Sequence, residues 1–326
     1  MSGAERLTLL RRAHVWTPTN VAAMDIRTGP PEGGFPPGAT ITCDFVDKRF
    51  GGHTPKFGCA LTPEHILKVR YGRENGEAYA GVAATRLLWA LGFGADAMYP
   101  VHVICRGCPG KLMSEGTATR DAIRFDIATI ERKFPGEDIE AAGVDPGWTW
   151  QELDLVDSHV GGATAAERDA LKLLAVLLQH TDNKPDQQRL VCPGGGTSRY
   201  ELAACAAPFM MIHDVGQTFG RANLLNRSAL GSVNLDRWSN TPVWKDPVHC
   251  VGNLAPSQTG TLTDPVISET GRKFLADLLV QLTNTQLNDL FSVARFADKP
   301  HGGGPVDAWV AAFKHKRDEI VSAQCH

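Results

Sequence analysis

Two short segments of this 326-residue chain carry side chains suited to catalysis. The first, His180-Thr-Asp-Asn-Lys-Pro-Asp-Gln187, follows a predicted long helix. The second, His213-Asp-Val-Gly216, ends a predicted apolar strand. An aspartate in such a place can take a proton from a hydroxyl group, and carboxylate or amide oxygens are ligands that Mg²⁺ prefers. Either segment alone is more typical of a solvated turn, so their order along the chain carries the argument.

Several common signatures are absent from the sequence. The patterns G-x-x-x-x-G-K-[ST], G-x-S-x-G and H-E-x-x-H do not occur. Gly92-Phe-Gly-Ala-Asp-Ala97 formally matches G-x-G-x-x-[GA], but it follows a predicted helix rather than a strand. We therefore reject it as a dinucleotide-binding fingerprint.

The first segment resembles the catalytic loop of Ser/Thr protein kinases, His-Arg-Asp-Leu-Lys-Pro-Glu-Asn, and the second resembles their metal-binding Asp-Phe-Gly. The His, Asp, Lys and Pro of that loop are present, while Gln187 replaces its last residue. The resemblance covers roughly residues 49–220. Outside the motifs, the chain is more similar to atypical kinases, which include HipA-type toxins, CotH spore-coat kinases, secretory-pathway kinases and phosphoinositide kinases.

The resemblance implies roles for four residues in these two segments. Asp182 would take the proton of the acceptor hydroxyl, and Lys184 would steady the phosphoryl group. Asp214 and Gln187 would hold Mg²⁺ or Mn²⁺ beside bound ATP. Because glutamine is one methylene longer than the family's asparagine, Gln187 is the departure that favours a pseudoenzyme.

The resemblance also implies residues that bind the phosphates, and these lie earlier in the chain. Lys68, in Ile-Leu-Lys-Val, resembles the strand lysine that contacts the α- and β-phosphates. Glu77 lies on the inward stripe of the next helix and needs a partner, for which Lys68 is the natural choice; Glu74 is a less favoured alternative. Gly51 and Gly52 are expected in a turn over the phosphates.

Hydrophobic periodicity predicts the elements that position these residues. Strands are expected at 39–46, 57–61, 65–71 and 99–105, with a helix over 77–91. Thr164-Ala-Ala-Glu167 is a capping box that starts another helix. Further helices are expected near 268–282, 285–297 and 305–321.

The order of elements predicts an α+β, two-lobed, protein-kinase-like fold. The expected parts are an N-terminal arm (1–38), an N-lobe with a small antiparallel sheet and one helix (39–106), and a mostly helical C-lobe (107–326). Residues 106–160 show no clear pattern.

Net charge and the length of apolar runs limit the classes of partner that the sequence predicts. The net charge of −3 gives no basic excess for nucleic-acid binding, and no apolar run approaches the length of a membrane span. Without a hydrophobic signal core at its start, the chain reads as cytoplasmic, although a processed, exported form is left open.

Eight cysteines are present, with Cys105-Arg-Gly-Cys108 as the only close pair. A single C-x-x-C is a weak zinc signal, and a chain of this length does not need disulfides for its core. We expect buried or loop thiols, with a metal site or disulfides as alternatives.

The predicted function is an ATP- and Mg²⁺-dependent phosphotransferase acting on a protein Ser/Thr hydroxyl or a small-molecule hydroxyl. One alternative is AMP transfer on the same fold, and a second is a nucleotide-binding pseudokinase or scaffold. A third is an unrelated metal protein that uses the cysteines and histidines.

Overall fold

The computed structural model describes residues 1–52, 54–119, 121–194, 204–220, 232–257 and 260–325. The predicted α+β class is confirmed. The strands are β1 Thr40–Val46, β2 Lys56–Thr62, β3 His65–Tyr71, β4 Ala97–Arg106, β5 Thr117–Ala118, β6 Ala122–Arg132, β7 Glu137–Asp138, β8 Gln188–Cys192, β9 Phe209–Ile212, β10 Trp244–Asp246 and β11 Val251–Gly252. The α-helices are α1 Gly3–Arg11, α2 Glu77–Ala90, α3 Ala165–Leu178, α4 Leu235–Asn240, α5 Glu269–Leu279, α6 Asn284–Val293 and α7 Val306–Ser322.

Short 3₁₀ helices connect these elements at Val21–Ala23, Gly110–Glu115, Glu152–Leu155, Ser158–Val160, Pro185–Gln187 and Phe296–Asp298. The predicted strands and helices form near their expected bounds, and Thr164 and Glu167 make the predicted capping box at α3. The helix α1 was not predicted. Its own capping box joins Ser2 and Glu5, a signal that was present in the sequence.

The first five long strands close into a barrel rather than the small antiparallel sheet that was predicted. Strand order is β3-β2-β1-β4-β6, and β3 also pairs with β6. The β1–β4 pair is parallel, because α2 and its connections lie between β3 and β4. Aromatic rings of Phe57, Tyr71 and Phe125 pack against one another inside.

Strand β6 was missed, although Ile123, Phe125 and Ile127 alternate with Arg124 and Asp126. It extends the barrel to Arg132, beyond residue 106, the predicted end of the N-lobe. The two-lobed, kinase-like arrangement and its boundaries stay predictions.

The helix α2 lies almost wholly buried between the barrel and the helical part of the chain. Its alanines and leucines belong to a second hydrophobic cluster, which also contains α3, α5 and α6. Gly92 follows the helix with φ +86°, and an added Cβ would lie 2.1 Å from the Thr17 carbonyl oxygen. Only glycine fits this turn, which fixes the path from α2 into β4.

The prediction of free thiols is wrong, because all eight cysteines form disulfides. The pairs are Cys43–Cys59, Cys105–Cys108, Cys192–Cys205 and Cys250–Cys325. Antiparallel pairing of β1 and β2 brings Cys43 and Cys59 to a Cα separation of 5.5 Å. Sequence spacing alone does not specify such connectivity.

Within the described ranges, none of the helices combines the length and the apolar character that crossing a membrane requires.

Candidate functional site

One cavity of about 380 Å³ collects all eight predicted site residues, although they are distant in sequence. The barrel and α2 contribute Gly51, Gly52, Lys68 and Glu77, and the helical half contributes Asp182, Lys184, Gln187 and Asp214. The cavity therefore lies where the barrel meets the segments that follow α3 and β9.

The predicted Lys68–Glu77 pair is wrong. The Lys68 Nζ lies 2.8 Å from an oxygen of Glu131, and β6 places Glu131 directly opposite Lys68 in register. Because β6 was not predicted, Glu131 could not be considered as a partner. The side chain of Lys68 is still one-fifth exposed and lines the cavity.

Arg70 is the cation that meets Glu77, and sequence reasoning missed it. Two residues after Lys68 on β3, it points to the same face of the strand. Its guanidinium contacts Glu77, lies 2.8 Å from Asp214 and lies 3.2 Å from Glu131. Burial opposes its charge, but Asp214 and the two glutamates together raise the pKa of Arg70. The arginine is therefore a fixed cation that joins the barrel, α2 and the Asp214 segment.

Glu77 is buried at the start of α2, as predicted. It accepts hydrogen bonds from the Thr54 hydroxyl at 2.7 Å and from Gln217 Nε2 at 3.1 Å, besides its contact with Arg70. A Cβ on Gly216 would lie 2.8–3.1 Å from the Glu77 side chain. Glycine after Asp-Val thus permits the close approach of this segment to α2.

Asp214 follows β9 and is held by the loop that contains Gln187. The amide groups of His213 and Asp214 both donate to the Gln187 carbonyl, at 2.8 and 3.3 Å. The Asp214 carboxylate accepts from Arg70 at 2.8 Å and from the Gly216 amide at 3.0 Å. Burial acts to raise the pKa of Asp214, but Arg70 and Lys68 hold it far below its usual range, so the group is ionised.

Asp182 lies half-buried at the other side of the cavity. Burial raises the pKa of its carboxyl group, which Lys184 partly offsets. The Gln187 Nε2 donates to Asp182 Oδ2 at 3.3 Å, an orientation that leaves the Gln187 carbonyl oxygen available as an acceptor. Lys184 lies 3.7 Å from the exposed carboxylate of Asp186.

Two buried side chains, His180 and Asn183, anchor the loop that carries Asp182. The Asn183 side chain is fully buried; it accepts from the Leu262 amide at 2.9 Å and donates to the Leu262 carbonyl at 3.1 Å. His180 is also buried, and burial lowers its pKa to about 4. A neutral, packed His180 and a bonded Asn183 fix the backbone on both sides of Asp182.

Lys56, the first residue of β2, is a further cation beside the Gly51–Gly52 turn and was not predicted. Gly52 has φ +80°, a conformation that favours glycine. The Lys56 Nζ donates to the Gly51 carbonyl at 2.5 Å and lines the cavity. Burial, and after it the charge of Arg70, lower the pKa of Lys56. The cavity lining therefore holds three lysines, Lys56, Lys68 and Lys184, beside the carboxylates of Glu77, Asp182, Asp186 and Asp214.

Asp214 and Gln187 are the cavity residues whose oxygens could hold a magnesium ion. Asp214 offers an ionised carboxylate, and Gln187 offers a carbonyl oxygen on the facing loop. Among the described residues, no group of three or more His, Cys, Asp or Glu could hold a metal without other ligands. Mg²⁺ commonly takes one or two protein ligands and completes its shell with phosphate and water.

Comparison with solved structures yields distant likenesses, one of which is described here. No family model matches the chain, and no curated protein matches it. The crystal structure of a Helicobacter pylori proinflammatory kinase, CtkA, is similar over 88% of this chain and 95% of that chain, with 14% identity and a TM-score of 0.44. At this distance the likeness assigns neither fold nor function.

The partner of Lys68 can be tested by double-mutant cycles of unfolding. We expect Lys68→Gln and Glu131→Gln to couple by roughly 0.5–3 kcal/mol, the range for residues in contact, because their charged groups lie 2.8 Å apart. Lys68→Gln and Glu77→Gln should show a smaller coupling, since Glu77 bonds Arg70 instead. A larger coupling energy between Lys68 and Glu77 than between Lys68 and Glu131 would support the predicted Lys68–Glu77 pair.

Proposed function

We propose that the chain is an ATP- and Mg²⁺-dependent phosphotransferase with a kinase-like arrangement of its site. The observation that carries this proposal is the single cavity in which Asp182, Asp214 and Gln187 face Lys68 and Lys56. Phosphoryl transfer needs positioned groups and charge neutralisation more than covalent catalysis, and these residues supply both.

Each side chain has a defined task in this proposal. Lys68 and Lys56 bind phosphate oxygens from the barrel side, and Lys184 does so from the loop side. Asp182 orients the acceptor hydroxyl and accepts its proton; its raised pKa makes the carboxylate a stronger base. Asp214 and Gln187 would hold the metal, which when bound would neutralise charge on the phosphates. Arg70 fixes the geometry by joining Asp214 to Glu77.

The acceptor is proposed to be a protein Ser/Thr hydroxyl or a small-molecule hydroxyl, with no nucleic acid involved. All eight cysteines are paired, which favours an oxidising compartment over the cytoplasmic location that the sequence suggested. We therefore propose that the chain acts as an exported or otherwise extracytoplasmic protein.

Thermal unfolding with ATP, ADP and GTP, each with and without Mg²⁺ or Mn²⁺, tests nucleotide binding. A nucleotide at 100 times its Kd should stabilise the chain by about 2.7 kcal/mol. Intact mass of the acceptor, or of the chain itself, then shows whether a phosphoryl or an adenylyl group was transferred. Nucleotide binding without any transfer or hydrolysis would indicate a pseudoenzyme.

The metal assignment of Asp214 gives a direct prediction. We expect Asp214→Asn to lose the Mg²⁺-dependent part of ATP stabilisation, because the amide removes the ionised ligand. Asp186→Asn is a matched control, since Asp186 lines the same cavity with a side chain that is 60% exposed. Equal Mg²⁺ dependence in the Asp214 variant and the parent would remove Asp214 from the metal site.

The effect of substituting Gln187 distinguishes an active enzyme from a pseudoenzyme. Its amide reaches Asp182 at 3.3 Å, so the loop already accommodates the longer side chain. We expect Gln187→Asn to lower metal-dependent ATP turnover, because the shorter side chain withdraws its oxygen from the metal position. Gln151→Asn, an exposed glutamine outside the cavity, should leave turnover unchanged. Higher turnover in Gln187→Asn would show that Gln187 is not a working ligand.

A further inference from the structure

A second cavity, of about 570 Å³, lies next to the end of β6 and shares no lining residue with the first. On β6, Glu131 faces Lys68 and Arg70, while Arg132 points to the opposite face and lines this second cavity. We call it the rear cavity. Its volume falls within the range of roughly 300–1,000 Å³ that small-molecule sites occupy.

The walls of the rear cavity are largely apolar and aromatic. Trp89 and Phe93 come from the end of α2 and the turn after it, and Phe134 comes from the segment after β6. Phe93 is buried, and Phe134 stacks on Phe209 with ring centroids 5.6 Å apart. These contacts hold the rings in place without a ligand, so the cavity is already formed.

The N-terminal arm supplies the remaining wall and is fixed by side-chain hydrogen bonds to its carbonyl groups. The Arg86 guanidinium donates to the carbonyls of Ile26 and Arg27. The Tyr99 hydroxyl donates to the Pro30 carbonyl at 2.7 Å, and Arg132 Nε donates to the Gly33 carbonyl at 3.0 Å. The arm therefore closes the cavity as an ordered part of the structure.

Positive charge lines one side of the rear cavity without a matching anion. Among the described residues, no carboxylate lies within ion-pair distance of Arg132 or Lys133. Arg132 instead contacts His65 through Nη1 and lies over the Phe35 ring at 5.0 Å. Burial lowers the pKa of Arg132, yet a guanidinium remains charged at neutral pH. A partly buried cation of this kind is stabilised by a bound anion.

The carboxylates that line the rear cavity do not serve as the anion that pairs with Arg132 or Lys133. Asp96 is buried; one of its oxygens accepts from the Phe134 amide at 2.7 Å, and the carboxylate lies 3.5 Å from His213 and 3.7 Å from Arg189. Its charge is offset by Arg189 and His213, although its Oδ2 accepts no hydrogen bond from the described residues. Glu32 is exposed at the rim and forms no ion pair with the described residues.

We propose that the rear cavity binds a small organic monocarboxylate with an aromatic or branched apolar body. The carboxylate would pair with Arg132, assisted by Lys133, and the apolar body would pack against Trp89, Phe93 and Phe134. This site is distinct from the proposed nucleotide site, because the two cavities share no lining residue.

Binding of three carboxylates and their neutral amides tests the proposal. The probes are phenylacetate, indole-3-acetate and 4-methylpentanoate, each paired with its own amide, and acetate as a carboxylate without a body. Titration calorimetry and saturation-transfer NMR measure binding to the full chain. We expect at least one carboxylate to bind at least about tenfold tighter than its amide, a difference of about 1.4 kcal/mol, and acetate to bind no better than the amides.

Variants locate the binding to the rear cavity. Arg132→Gln should remove the preference for the carboxylate, Arg132→Lys should restore part of it, and Lys133→Gln should weaken it less. Lys133 is exposed, so its variant remains informative if Arg132→Gln fails to fold. Arg237→Gln, an exposed arginine on α4 outside the lining, is the control. Absence of binding by all three carboxylates, equal affinity for the amides, or binding unchanged by both Arg132→Gln and Lys133→Gln would overturn the proposal.

Discussion

Asp182→Asn is expected to keep nucleotide binding and to lose at least about 100-fold in the rate of transfer, the lower range for a positioned general base. The Asp182 carboxylate lies in the wall of the cavity, half-buried and with a raised pKa, so it is suited to accept the hydroxyl proton. An asparagine keeps the shape and can still contact Gln187, but it has no basic oxygen. The substitution should therefore lower the rate of transfer while nucleotide binding is kept.

Metal-dependent ATP turnover and Mg²⁺·ATP thermal stabilisation measure the two effects in the same preparations. Asp186→Asn is again the matched control, four residues away in the same cavity. Parental turnover in Asp182→Asn, with acceptor or with water, would exclude Asp182 from the chemistry.

Arg70→Gln is expected to destabilise the chain by about 3–5 kcal/mol near neutral pH, as breaking a buried ion pair does. The variant leaves Glu77, Glu131 and Asp214 close together without their common cation. In the parent, the pKa values of Asp214 and Glu131 are lowered despite burial, chiefly by Arg70. Their contribution to stability is present above the unfolded carboxyl pKa of about 4 and is lost only as pH falls through the lowered folded values.

Without Arg70, burial and mutual repulsion should instead raise these carboxyl pKa values. The cost of the substitution should then be largest at pH 8 and should shrink toward pH 5, as the carboxyl groups take up protons. Urea unfolding at both pH values measures this change. Arg106→Gln, which breaks an exposed pair with Asp44 on the barrel, should cost only about 0–1 kcal/mol. An Arg70 effect of that small size, or one equal at both pH values, would contradict the buried network.

Local sequence patterns predicted the elements that carry the site. The strand with Lys68, the helix with Glu77 and the helix before Asp182 each have a clear period, and Pro185 marks the loop that follows. These patterns depend only on residues that are close in sequence, so they can be recognised without knowledge of the tertiary structure. The eight proposed residues meet in one cavity.

The pairing inside the site was less accessible from sequence. Lys68 and Arg70 share one face of β3, and only the position of β6 decides that Lys68 meets Glu131 while Arg70 meets Glu77. Barrel closure is a long-range contact that no local period specifies. The alternation in β6 was visible, but its pairing with both β3 and β4 was not.

The four disulfides make thiol reductants a variable in the study of this chain. Cys250–Cys325 spans 75 residues, and in the chain-entropy model a loop of that size contributes roughly 4 kcal/mol to folding. The same loop contains Leu262, which holds Asn183 beside Asp182. Dithiothreitol would therefore act on the support of the loop that carries Asp182. Expression in a host compartment that forms disulfides, and purification without reductant, should yield the form described above.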